Sequence, residues 1–144
     1  MKPGMIVAML AALAWGFVYA ATEKIVERMN PVSAIVSFYA AGVFLTLPLL
    51  VLNRADIVQG ISADPKTFFA TTVAIMGAEF LIVWSISLLG GTEAALVEVS
   101  YPLWTALFLF LLYGQKPSWE VFVGGVLIMA GISMLALNGK SEVG

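Results

Sequence analysis

Apolar residues fall in five long runs, 5–22, 32–52, 68–89, 94–113 and 119–137, separated by short polar links. A membrane-spanning helix needs about 20 such residues, because each adds about 1.5 Å along the axis and the hydrocarbon core is about 30 Å thick. No run alternates apolar and polar positions with period two, so a β-barrel is not competitive. None of the seven Lys/Arg and only three of the nine Asp/Glu (Glu79, Glu98 and Glu120) lie inside the runs. A bilayer enforces that partition, since it contains no water to satisfy charges or free backbone groups. The pattern predicts an all-α integral membrane protein with five transmembrane helices, forming a single domain over residues 1–144.

The links carry their own signals. Glu23 to Pro31 ends the first helix in water and restarts the second at a proline, a favoured first-turn residue. Residues 53–67 read as the longest polar link, with Asp56, Gly60, Asp64 and Pro65 as breakers. Gly90-Gly91-Thr92 and Gly114-Gln115-Lys116-Pro117-Ser118 read as tight turns. Links this short make successive helices antiparallel neighbours. No soluble domain, low-complexity tract or internal repeat fits in the remainder.

Composition agrees with the pattern and narrows the chemistry. The chain is 61% hydrophobic and 11% charged, with a mean hydropathy of +1.00. A soluble domain is about 45–50% apolar and about 25% charged. The absence of Cys and His removes thiolate chemistry, the usual neutral-pH base and the commonest metal ligand. No metal or cofactor is expected. A net charge of −2 gives no basic footprint for nucleic acid. Proton chemistry therefore falls to carboxylates.

The first run is expected to stay in the protein. Tyr19-Ala20-Ala21 is weakly cleavage-like, but the run is longer than a usual signal sequence and passes through Trp15, Phe17 and Tyr19. Orientation is less determined. With five spans, one face carries Lys2, Arg54, Lys66 and Lys116 and the other Lys24, Arg28 and Lys140. Topology follows the excess of Lys/Arg in short loops, and four against three barely specifies a direction. Two readings stand: one fixed topology, or dual insertion with antiparallel copies pairing.

Two acids lie at membrane depth, Glu79 in the third run and Glu98 in the fourth, with no Lys or Arg beside them in the runs. Each must be protonated, solvated in a cavity or neutralised by a bound cation. Helical spacing puts Gly91, Ala94, Ala95, Tyr101, Pro102 and Thr105 on the face of Glu98, a small or polar stripe. Pro102 has no amide to offer the Glu98 carbonyl, leaving that acceptor free beside the carboxyl group. The stripe around Glu79 is almost wholly apolar, which favours a neutral, hydrogen-bonded core residue whose loss mainly changes stability. Trp15 and Tyr19 share a stripe with Ala8 and Ala12 and offer a stacking or cation–π surface. Gly124 and Gly131, seven residues apart, allow close helix approach, within the chain or in a dimer. Glu98, Glu79, Tyr101, Thr105, Trp15 and Tyr19 are thus the candidate substrate and proton ligands.

Several segments are familiar together. Ala11-Ala12-Leu13-Ala14-Trp15-Gly16-Phe17 followed by Asn30-Pro31 resembles the opening of an EamA-type repeat of the drug/metabolite transporter superfamily. Thr92-Glu93-Ala94-Ala95-Leu96 through Tyr101-Pro102-Leu103-Trp104-Thr105 resembles its fourth helix. Tyr113-Gly114-Gln115-Lys116-Pro117-Ser118 and Gly124 to Gly131 resemble its last loop and helix. Gln115 departs from the Glu common at that place, and helix one lacks the acid that small multidrug resistance proteins use, so no coupling site carries over.

The resemblance implies a single five-helix repeat acting as a small secondary transporter, not an enzyme, that exports or exchanges a small metabolite or cationic compound, with or without proton coupling. Its expected partners are the lipid bilayer, a small-molecule substrate, and a second copy (antiparallel or parallel) or a homologous half-length chain. Its expected location is a prokaryotic cell (inner) membrane, multi-pass. The alternative is a non-transporting subunit that stabilises a larger membrane complex. An intramembrane hydrolase falls behind both, since no His, Cys or clear Ser–Lys pair lies at membrane depth.

Overall fold

The computed structural model describes residues 3–138, with side chains as far as Met134. Lys2 and Lys140, used in the charge balance above, lie outside the described residues. Among those residues every regular element is a helix, and the chain divides after Gly90 into two compact units.

The first unit contains α1 (Pro3–Val26), α2 (Pro31–Leu52), α3 (Arg54–Ala63) and α4 (Pro65–Leu89). Helix α2 starts where the Asn30 side chain accepts the Val32 amide at 2.8 Å, with Pro31 next to the cap. Asp64 does the same for α4, accepting the Thr67 amide at 3.1 Å. The Thr67 hydroxyl and amide together hold the Asp64 carboxyl below the usual carboxylate range. That support is therefore complete above ordinary Asp titration and is lost as pH falls through the lowered value. Helices α1, α2 and α4 pack on one another. Their buried centre is Ala34, Ile35 and Val83, with Ile25, Val26, Tyr39 and Phe80 packed against it.

The second unit contains α5 (Gly91–Glu98), α6 (Tyr101–Tyr113) and α7 (Trp119–Asn138). Helix α6 ends at Gly114, whose φ of 67° a side chain would strain. Its N–H donates to the Phe110 carbonyl at 2.9 Å, and that of Gln115 to Leu109 at 3.2 Å. Helix α7 packs on both α5 and α6. Gly125 is buried, and a Cβ there would run into the Leu103 side chain, so this glycine sets how closely α6 and α7 approach.

The spans stand where the hydropathy put them. Helices α1, α2, α4 and the stretch Gly91–Tyr113 are each long and apolar enough to cross a bilayer, and α7 adds the shorter apolar stretch Trp119–Met134. Phe44 is 79% and Leu52 80% exposed, and among the described residues only six apolar side chains are buried. Exposed apolar surface on this scale, on helices long enough to span, fits a lipid surrounding. The chain is an integral, multi-pass membrane protein.

Two differences from the sequence expectation have local causes. The link at 53–67 contains a helix, α3, because Asn53 and Asp64 bracket ten residues with no proline, and Gly60 alone does not stop them. The fourth span is not one helix. It stops at Glu98 and restarts at Tyr101, with Ser100 donating to the nearer Val97 carbonyl at 3.1 Å. Pro102 supplies no amide to the turn above it, which opens the helix at that point.

Candidate functional site

In the second unit the geometry centres on that break. Glu98 is the last residue of α5 and is half-buried, while Gly91 and Ala94 on the same face are buried. Beyond the break the continuous stripe inferred from spacing no longer holds. Tyr101 is 62% exposed, Pro102 and Thr105 are also exposed, and the Thr105 hydroxyl donates to the Tyr101 carbonyl at 3.0 Å. No hydrogen bond or ion pair joins Glu98 to another described side chain. The arrangement leaves a carboxyl group at the end of a half-helix, next to backbone no longer held in a continuous ladder. Such interrupted helices at membrane depth are where transporters place ion and substrate contacts.

An apolar groove of about 450 Å³ runs beside the break, between α5 and α7. Val99, Leu127, Ile128 and Gly131 line it, and no polar side chain does. Gly131 forms part of its wall and is exposed; Gly124 is half-buried with open space around its Cα. A cation gains nothing there. Its chemistry is that of an acyl chain or an apolar side chain.

In the first unit Glu79 is half-buried on α4 and makes no hydrogen bond or ion pair among the described residues. Tyr39 of α2, a helix that packs on α4, lies within electrostatic range of it. The Tyr39 hydroxyl is shut off from solvent and has no hydrogen-bond partner, and the same holds for Tyr19 on α1. Tyr19 is buried, at 6% exposure, with the Trp15 ring tilted at 52° and 6.2 Å away. Trp15 itself is 42% exposed. The structure thus keeps Trp15 and Tyr19 together as spacing suggested.

Two residues that matter here carried no distinctive sequence signal. Tyr39 is a lone tyrosine within an apolar run, and only packing shows that its hydroxyl is stranded. Gly125 is one residue from Gly124, and the choice between them depends on which face of α7 meets Leu103. No group of three or more His, Asp or Glu side chains comes together among the described residues to hold a metal ion.

The sequence model of the EamA-like transporter family matches residues 2–137 of the chain. No curated protein and no solved structure gives a significant match.

Proposed function

The chain belongs to the EamA-like transporter family, and from that membership we propose that it is a small secondary transporter which exports or exchanges a small metabolite or cationic compound in step with protons. The observation that carries this reading is the interruption of the fourth span next to its intramembrane acid, α5 ending at Glu98 and α6 starting at Tyr101. Only the states of Glu98 that differ in charge can couple a proton to a cation, because coupling requires a different affinity for each occupant. The location proposed is a prokaryotic inner membrane. A thermal-shift screen of small metabolites and quaternary amines on the purified protein tests the reading. A specific ligand at about 100 times its Kd should stabilise the fold by about 2.7 kcal/mol. A flat response across the screen, with stabilisation only by a co-purifying protein, points instead to a structural subunit.

The working assembly proposed is an antiparallel homodimer. The nearly balanced Lys/Arg of the five spans, four on one face and three on the other, supports it, as does the placement of transport sites between oppositely oriented halves. A C-terminal tag should then label from both faces of the membrane. Labelling from one face alone rejects the antiparallel arrangement and leaves a parallel dimer or a homologous partner chain.

A further inference from the structure

The corner where α2 gives way to α3 stands at a membrane boundary. Helix α2 is a 22-residue span ending at Leu52, and α3, at ten residues, is too short to cross. Arg54, the first residue of α3, is therefore held where hydrocarbon meets headgroups. A notch of about 530 Å³ opens at this corner, lined by Val51, Leu52, Arg54, Ala55 and Val58. Those residues border one space, and all but Arg54 are apolar. Val51, Leu52 and Val58 are exposed, so the notch is continuous with the lipid-facing surface of α2.

No group of the protein answers the charge in that notch. Among the described residues the Arg54 guanidinium makes no ion pair or hydrogen bond; the ion pair they contain joins Lys24 to Glu27. Asp56 is two residues on, a spacing that places it on another face of α3. The Asp64 carboxyl, beyond the far end of α3, accepts the Thr67 amide. A guanidinium is always charged and presents five N–H donors in a planar fork. A single cation among apolar walls, at headgroup depth, matches a ligand with an anionic head and a hydrocarbon body. Two oxygens of a phosphodiester fit the fork, and an acyl chain asks only for the apolar walls.

We propose that the α2–α3 notch is a seat for one anionic phospholipid, its phosphodiester against Arg54 and an acyl chain along Leu52 and Val58. The inference goes beyond the transport reading and stands or falls without it. A zwitterionic lipid brings the same phosphate, but its own ammonium already balances that charge. Phosphatidylglycerol has no such internal cation. The seat therefore ranks phosphatidylglycerol above phosphatidylcholine.

The test is native mass spectrometry of the full chain released from neutral detergent micelles, with dioleoylphosphatidylglycerol or dioleoylphosphatidylcholine added in known amounts. The first phosphatidylglycerol should bind at least about 5-fold tighter than phosphatidylcholine, what one Arg gains at an anionic surface. Arg54→Gln should weaken phosphatidylglycerol about 10-fold, the loss of a charge-assisted hydrogen bond, and remove the preference. Lys66→Gln deletes the same charge near the other end of α3, outside the notch, and should change neither affinity. Val58→Asn, which puts an amide in the apolar wall, should weaken both lipids alike. Inorganic phosphate should not displace the lipid, having no hydrocarbon to place. Equal affinity for the two lipids, an equal loss in Lys66→Gln, no effect of Val58→Asn, or displacement by phosphate overturns the assignment. So does a dimer that binds no lipid and is lost in Arg54→Gln, which would give the notch to a second copy.

Discussion

Glu98→Gln is expected to bring proton-driven transport down to the background of empty liposomes while leaving expression and dimerisation as they are. Gln matches the shape of a protonated Glu and keeps its hydrogen-bonding capacity, so the end of α5 has no reason to rearrange. What the amide cannot do is exchange a proton. An acid at membrane depth costs about 2.5–3.5 kcal/mol to insert, and among the described residues no cationic side chain pairs with Glu98 to offset that cost. In the proposed mechanism its role is to change charge as the occupant changes. Transport that keeps its pH dependence in the Glu98→Gln protein would remove Glu98 from the mechanism and leave Glu79 as the remaining intramembrane acid.

The second large effect is expected at Gly125. A valine there runs into Leu103, and neither α6 nor α7 can move apart without losing the packing between them. Overpacking of this kind costs about 1–3 kcal/mol. Gly125→Ala should cost less, because the end of the Leu103 side chain can rotate out of its way. Combining Gly125→Val with Leu103→Ala should restore much of the loss, since the second change removes the obstacle. Melting temperatures of the single and double variants in detergent give the coupling directly. Additive effects of the two substitutions would mean that the contact does not set the helix approach.

The spans were legible in the sequence because the bilayer acts as a solvent with a fixed thickness and no tolerance for unpaired polar groups. Run length and the exclusion of Lys and Arg therefore carried most of the fold. Helix α3 was not legible. Its ten residues include Arg54, Asp56 and Gly60, and its helically spaced apolar positions, Ile57, Val58 and Ile61, cover little more than one turn, so they read as a link. The break in the fourth span was half legible. Pro102 marked the freed carbonyl of Glu98, but whether a membrane helix bends or stops at a proline depends on how its neighbours satisfy the freed groups.

The candidate site divides along the same line. Charge in an apolar run is a one-dimensional signal, and it pointed to Glu79 and Glu98. Which polar groups accompany each acid is a three-dimensional question. Spacing put Tyr101 and Thr105 beside Glu98 on the assumption of an unbroken helix, and the restart at Tyr101 removes that assumption. Tyr39 comes within electrostatic range of Glu79 only through the packing of α2 on α4, two helices separated in sequence by α3. Likewise the seven-residue spacing of Gly124 and Gly131 marks a face of α7, whereas Leu103 meets the face that carries Gly125.

The most direct measurement is proton flux out of liposomes that contain this chain and no other protein, recorded with a trapped pH dye while candidate cations are added outside. The account requires a flux that begins with the substrate cation, saturates with its concentration and runs opposite to its movement. Silence from the chain alone across the substrates that bind it, with flux appearing only after a second protein is supplied, would contradict it.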